Sequence, residues 1–156
     1  MTKKVLCILL CIAMLFSLTG CSDIFGGAMF LFLAATGDDR AEKDEIIEFV
    51  IENEKKLITA IENNDFSDFE NKGFIKDISA NDDVIDFSCG GMGFGSATAY
   101  TGFYYAPDNN MYAIWCSPTS GEELTPSGEG YEWQEGDNRY YTENICGNFY
   151  YYEASF

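Results

Sequence analysis

Residues 83–91, Asp83-Val84-Ile85-Asp86-Phe87-Ser88-Cys89-Gly90-Gly91, mark the point where the chain changes period. Ile85, Phe87 and Cys89 alternate with Val84, Asp86 and Ser88, the two-residue repeat of a β-strand, and the paired glycines end it. Upstream the repeat is different. Ile47, Val50, Ile51, Leu57, Ile58 and Ile61 recur at steps of three and four, which predicts one helix reaching Glu62. Asp38 or Asp39 is positioned to cap that helix, with Glu42, Asp44 and Glu45 near its positive end, and Asn63-Asn64-Asp65 to stop it. Glu54 interrupts the stripe, while Ile46 and Phe49 widen it, so the helix suits packing on a sheet better than a coiled coil.

Downstream, strands are predicted over residues 97–105, 111–116, 131–134 and 139–146, with a further one at 149–153. Pro107-Asp108-Asn109-Asn110 and Asp137-Asn138 supply turns, and residues 117–130 read as a loop rich in Pro and Gly. Phe66, Phe69, Phe74, Ile75 and Ile78 anchor the crossover between helix and first strand. The expected class is α+β, with one long N-terminal helix packed on an antiparallel sheet of five or six strands.

At the other end of the chain, Lys3 and Lys4 precede an apolar run from Val5 to Leu18, and Leu18-Thr19-Gly20-Cys21 follows. This order is that of a secretory signal, and the tetrapeptide resembles the lipobox of bacterial prolipoproteins. The resemblance covers the first 21 residues. It implies cleavage after Gly20 and a diacylglycerol thioether on Cys21, hence an extracytoplasmic protein held at the cell membrane by lipid. The expected organisation is a signal peptide at 1–20, a lipidated cysteine and apolar tether at 21–37, and one domain at 38–156. The tether's run Ile24–Ala35 is too short to span a bilayer as a helix. It suits the membrane interface or a mobile tether, with a core strand or the start of the helix as alternatives.

Composition narrows the chemistry. The chain has 26 acidic and nine basic side chains, a net charge of −17, which repels phosphate backbones and excludes nucleic acid as a natural partner. Histidine is absent, so Ser-His and Cys-His nucleophile systems cannot be assembled within the chain. Gly90 to Ser96 lacks the lysine and following helix of a phosphate loop and reads as a bulge or wide hairpin. The carboxylates Asp82, Asp83 and Asp86, and Glu132 and Glu135 beside Trp133, have no spacing that fixes a catalytic pair. No enzyme activity, cofactor or metal centre is expected. Asp108-Asn109-Asn110 and Asp137-Asn138 carry oxygen ligands for calcium but lack the spacing of an EF-hand loop, and read as turns.

Cys7 and Cys11 lie in the leader and Cys21 carries the lipid, leaving Cys89, Cys116 and Cys146 in the domain. A disulfide between Cys89 and Cys146 would enclose nearly the whole sheet, with Cys89–Cys116 as its rival. The aromatic surplus of the second half is the remaining signal. Adjacent tyrosines must alternate between sheet faces, so a face opposite the helix is expected to expose Tyr104, Tyr105, Tyr112, Trp115, Trp133, Tyr140 and Tyr151 beside carboxylates. Such a surface suits a basic protein or peptide, whose stems stack while their charges pair. A carbohydrate-binding lipoprotein, stacking glycan on the same rings, and a structural envelope component are the alternatives.

Overall fold

The computed structural model describes residues 40–70, 73–81, 84–94, 97–118 and 122–156. The expected signal peptide, Cys21, the expected tether and the expected helix caps Asp38 and Asp39 lie outside the described residues. Helix α1, Lys43–Asn63, starts after Glu42, which makes no side-chain cap, and carries Asp44 and Glu45 in its first turn. It is therefore internal to the chain rather than N-terminal. Asn64 ends it in the left-handed region at φ 49°, its N–H bonded to the carbonyls of Ala60 and Ile61. The buried line is Ile46, Val50, Leu57 and Ala60. That line is rotated from the expected stripe, and Ile51 is 56% exposed.

Among the described residues the sheet has seven strands, not five or six: β1 (Asp77–Asn81), β2 (Val84–Phe94), β3 (Ala97–Tyr105), β4 (Thr125–Ser127), β5 (Gly130–Glu135), β6 (Asn138–Cys146) and β7 (Phe149–Ser155). Their order is β1-β2-β3-β7-β6-β5-β4, and every neighbouring pair is antiparallel. Strand β2 does not stop at its paired glycines. It continues to Phe94 through a register shift between Ser88 and Gly91, with Gly90 at φ 127° absorbing the bulge.

Residues 111–116 are not a strand. They belong to a long connector between β3 and β4 whose backbone turns on itself, Ala113 N–H bonding to Asn110 O and Ser117 N–H to Ile114 O. The alternation of Met111 to Cys116 reflects a segment with one side on a core, a pattern that irregular chain can also satisfy.

Side-chain alternation splits the apolar residues into two layers. On the helix side, Ile85, Phe87 and Cys89 of β2, Phe103 of β3, and Phe149 and Tyr151 of β7 pack with α1 and with Phe69 and Ile75 of the crossover. Phe87 and Phe103 stack at 4.5 Å between centroids. On the other side, Tyr104, Tyr140, Tyr150, Tyr152 and Ala154 are covered by Ile114, Cys116 and Leu124 of the connector. Tyrosine hydroxyls fasten that cover. Tyr140 donates to Met111 O at 3.0 Å, Tyr150 to the Asn109 side chain at 2.9 Å, and Tyr112 to Glu122 O at 3.1 Å.

Candidate functional site

The expected aromatic face does not exist as a surface, because the connector occupies it. Tyr104 and Tyr140 are 0% and 1% exposed and belong to the second core, where the Tyr104 hydroxyl lies 3.0 Å from Thr142 Oγ1. Burial pushes the Tyr104 phenol up to about 12, against the hydrogen bonds from Thr142 and Tyr140. Tyr151 is buried on the helix side, donating to Glu153 and accepting from Thr101 Oγ1. Tyr105 is half-buried on that same side, Trp133 is half-buried against the second core, and Tyr112 is half-buried within the connector. Of the seven, Trp115 alone is exposed. Tyr131 of β5, on the same face of the strand as Trp133, is 39% exposed and was not among them.

Trp115 is 59% exposed, yet its ring is fixed. Its indole N–H donates to Asp86 Oδ2 at 3.0 Å, Tyr100 meets it edge-on with centroids 5.3 Å apart, and Phe156 tilts against it at 6.4 Å. Asp86 is 8% exposed, and its other oxygen, Oδ1, has no hydrogen-bond partner. Burial pushes the Asp86 carboxyl up to about 6, against hydrogen bonding from Trp115 and Tyr152, and the nearby charge of Asp77 raises it further. Tyr152 comes near Asp86 by crossing β3 at Gly102, where a Cβ would sit 2.4 Å from Phe87 O and 2.8 Å from the Tyr152 ring. The sequence signal for this arrangement is a carboxylate in mid-strand between Val84 and Ser88. Its partner stands 29 positions away, beyond the reach of local pattern.

A second polar network sits where α1 begins. Lys43 Nζ lies 2.6 Å from Glu143 Oε2, a carboxylate on a side chain 4% exposed, and Tyr141 donates to the same oxygen. The ammonium also stands over the rings of Tyr141 and Tyr151 at 5.0 and 5.6 Å. Partial burial works against the Lys43 charge, but the hydrogen bonds and charge of Glu143 and Tyr141 outweigh it and raise its pKa. This is a docking clamp between helix and sheet.

The expected Cys89–Cys146 disulfide is not formed; Cys89, Cys116 and Cys146 are all free thiols. Cys89 is on β2 and Cys146 on β6, with β3 and β7 between them. Three strand spacings make about 14 Å, twice the roughly 7 Å that a disulfide's Cα atoms tolerate. The rival pairing fails differently, since Cys89 faces the helix-side core and Cys116 the other. Burial raises the thiol pKa values of both.

Among the described residues no three His, Cys, Asp or Glu side chains group as a metal site. The Asp108–Asn110 segment acts as a turn: Asn110 Oδ1 accepts the Tyr112 N–H, and Asn109 Oδ1 accepts the Tyr150 hydroxyl. No described helix is long and apolar enough to cross a membrane. Comparison with protein-family models, curated proteins and solved structures finds no match to this chain.

Proposed function

We propose that this protein is a lipid-anchored binding protein of the extracytoplasmic membrane surface, that it takes a basic protein or peptide, and that Trp115 is its anchor. The observation that carries the reading is an indole held rigid by a buried carboxylate while more than half of it faces solvent. Ordering has already been done on the protein side, so a partner's side chain meets a preset platform. A lysine or arginine over that ring gains about 0.5–1 kcal/mol from the cation–π contact, and the net charge of −17 draws such a partner in. Anchoring rests on Leu18-Thr19-Gly20-Cys21 and its resemblance to a lipobox.

Glycan stacking finds less support. Sugar recognition favours a second coplanar ring, and Tyr100 stands at 80° to Trp115 while Phe156 lies at 37°. The test is a pull-down from envelope material at rising salt, with wild type and Trp115→Ala. A basic species retained by wild type, lost at high salt and weakened about threefold or more by the substitution is expected. Equal retention by the variant, or capture of only neutral or acidic species, overturns the reading.

A further inference from the structure

The sheet is open, and its two edges, β1 and β4, are protected differently. β4 is three residues long and carries Pro126, which has no N–H to offer a further strand. β1 holds neither proline nor glycine, and its register with β2 runs unbroken from Asp77↔Ser88 to Asn81↔Val84. Among the described residues no strand pairs with its outer side. Alternate backbone N–H and C=O groups of β1 therefore face away from β2, a length of regular ladder that can be continued.

What guards β1 is charge. Asp77 is exposed at this edge, and its charge is felt at Asp86, so two carboxylates stand close together on the face that carries the connector. In a chain of net charge −17, such a guard turns away a second copy of the protein and admits a positively charged strand. Alternation sorts the two faces of β1. Ser79 lies opposite Asp86, so Asp77, Ser79 and Asn81 share the connector face, and the indole N–H of Trp115, bonded to Asp86, stands one strand in from the edge. Ile78 and Ala80 lie on the helix side, where Ile78 is half-buried against the core. A strand laid along β1 thus meets polar and acidic neighbours on one face and apolar neighbours on the other.

We infer that β1 is a docking edge, which takes an extended peptide segment of alternating basic and apolar residues as a further strand of the sheet. This deepens the reading of a basic partner and rests on it. The backbone of the incoming segment supplies the hydrogen bonds, and its alternate side chains set the choice. Basic side chains on the connector face come within about 4.5–5.5 Å of Asp77 or Ser79, measured between Cβ atoms, and extend across the small Ser79 toward the indole. Apolar ones lie beside Ile78 and Ala80 and lengthen the helix-side core.

Hydrogen exchange of the full chain in detergent, with an octapeptide that alternates lysine and valine, tests the assignment. Saturating peptide is expected to slow exchange of the outward-facing amides within 77–81 by about tenfold or more and to leave those within 125–127 unchanged. Binding, followed by anisotropy of the labelled peptide at low salt, should weaken about tenfold or more when the peptide is N-methylated along its whole backbone, because its charges remain and its N–H groups are gone. Asp77→Lys, at an exposed position, should weaken it about threefold or more. Trp115→Ala separates the two ideas. Weaker binding in that variant, with β1 unprotected and N-methylation without effect, overturns strand addition and leaves the Trp115 reading in place. Protection of β1 with undiminished affinity in Trp115→Ala supports strand addition and removes the indole from it. No binding of the octapeptide at about 1 mM, or slowing of β1 exchange by raised protein concentration alone, the mark of self-pairing, also overturns the assignment.

Discussion

Replacing Asp86 by Asn should change the pH dependence of stability in a defined direction. Asp86 is nearly enclosed, its Oδ2 accepts the Trp115 indole and its Oδ1 has no partner. The carboxyl moves from 3.8 to about 6 on folding, which favours the neutral form in the folded state by about 3 kcal/mol. The folded protein therefore holds this proton more tightly than the unfolded chain. Stability from the group is fully present below pH 3.8 and is lost as pH rises through about 6. Asparagine keeps a carbonyl for the indole and cannot ionise. Its amide N–H groups bring a penalty of about 1–3 kcal/mol if unmatched, but that penalty does not vary with pH. Urea unfolding of both proteins from pH 4 to 7.5 should show the variant gaining on wild type by about 2–3 kcal/mol across the window. Parallel stability curves, or a gap moving the other way, would refute a buried and under-satisfied Asp86.

Three further outcomes are expected. Lys43→Met strands the Glu143 carboxylate beneath the helix, and because Lys43 is partly solvated the loss should be about 1–3 kcal/mol by chemical denaturation; an unchanged midpoint would show that the clamp contributes nothing. Gly102→Ala drives a methyl into Phe87 O and the Tyr152 ring, and a destabilisation of about 2 kcal/mol or more is expected in the same assay, whereas a neutral result would mean that β2 and β3 give way easily there. In the folded protein, a thiol reagent should label Cys146 while Cys89 and Cys116 stay protected, and non-reducing peptide mapping should find no bridge among the three; a Cys89–Cys146 peptide would contradict the strand order.

The elements with strong periodicity were legible in the sequence. The helix over 43–63 and strands β2, β3, β5, β6 and β7 all stand near their expected places, because each has enough apolar residues at its own repeat. The two edge strands were not. β1 is Asp-Ile-Ser-Ala-Asn and β4 is Thr-Pro-Ser, short polar segments of the kind edges favour, indistinguishable from loop without their partners. The expected aromatic face failed for a different reason. Alternation correctly sends Tyr104, Tyr150 and Tyr152 away from Phe103, Phe149 and Tyr151, but it does not say what lies beyond. A connector without regular structure buried that face, and no local pattern announces such a cover. Of the candidate sites, Trp115 was visible as a residue type. Its hold on Asp86, 29 positions away, is a product of tertiary structure.

The strand order also bears on how the chain folds. Every neighbouring pair except β3–β7 joins consecutive strands, so β1–β3 and β4–β7 are two meanders that close through short-range contacts, while the seam between them must bridge residues 105 to 149. The connector spans that gap in sequence and also lies on the seam in space: Tyr104 and Tyr150 stack across it at 5.3 Å, and Asn109 accepts the Tyr150 hydroxyl. Zipping the two halves together and laying down the connector are thereby one event, the step that bears the loop-closure entropy. Substitutions at Tyr104, Asn109 or Tyr150 should slow folding, and those in the outer hairpins should chiefly hasten unfolding. The rate-limiting search is thus confined to a single junction in a sheet otherwise assembled from hairpins.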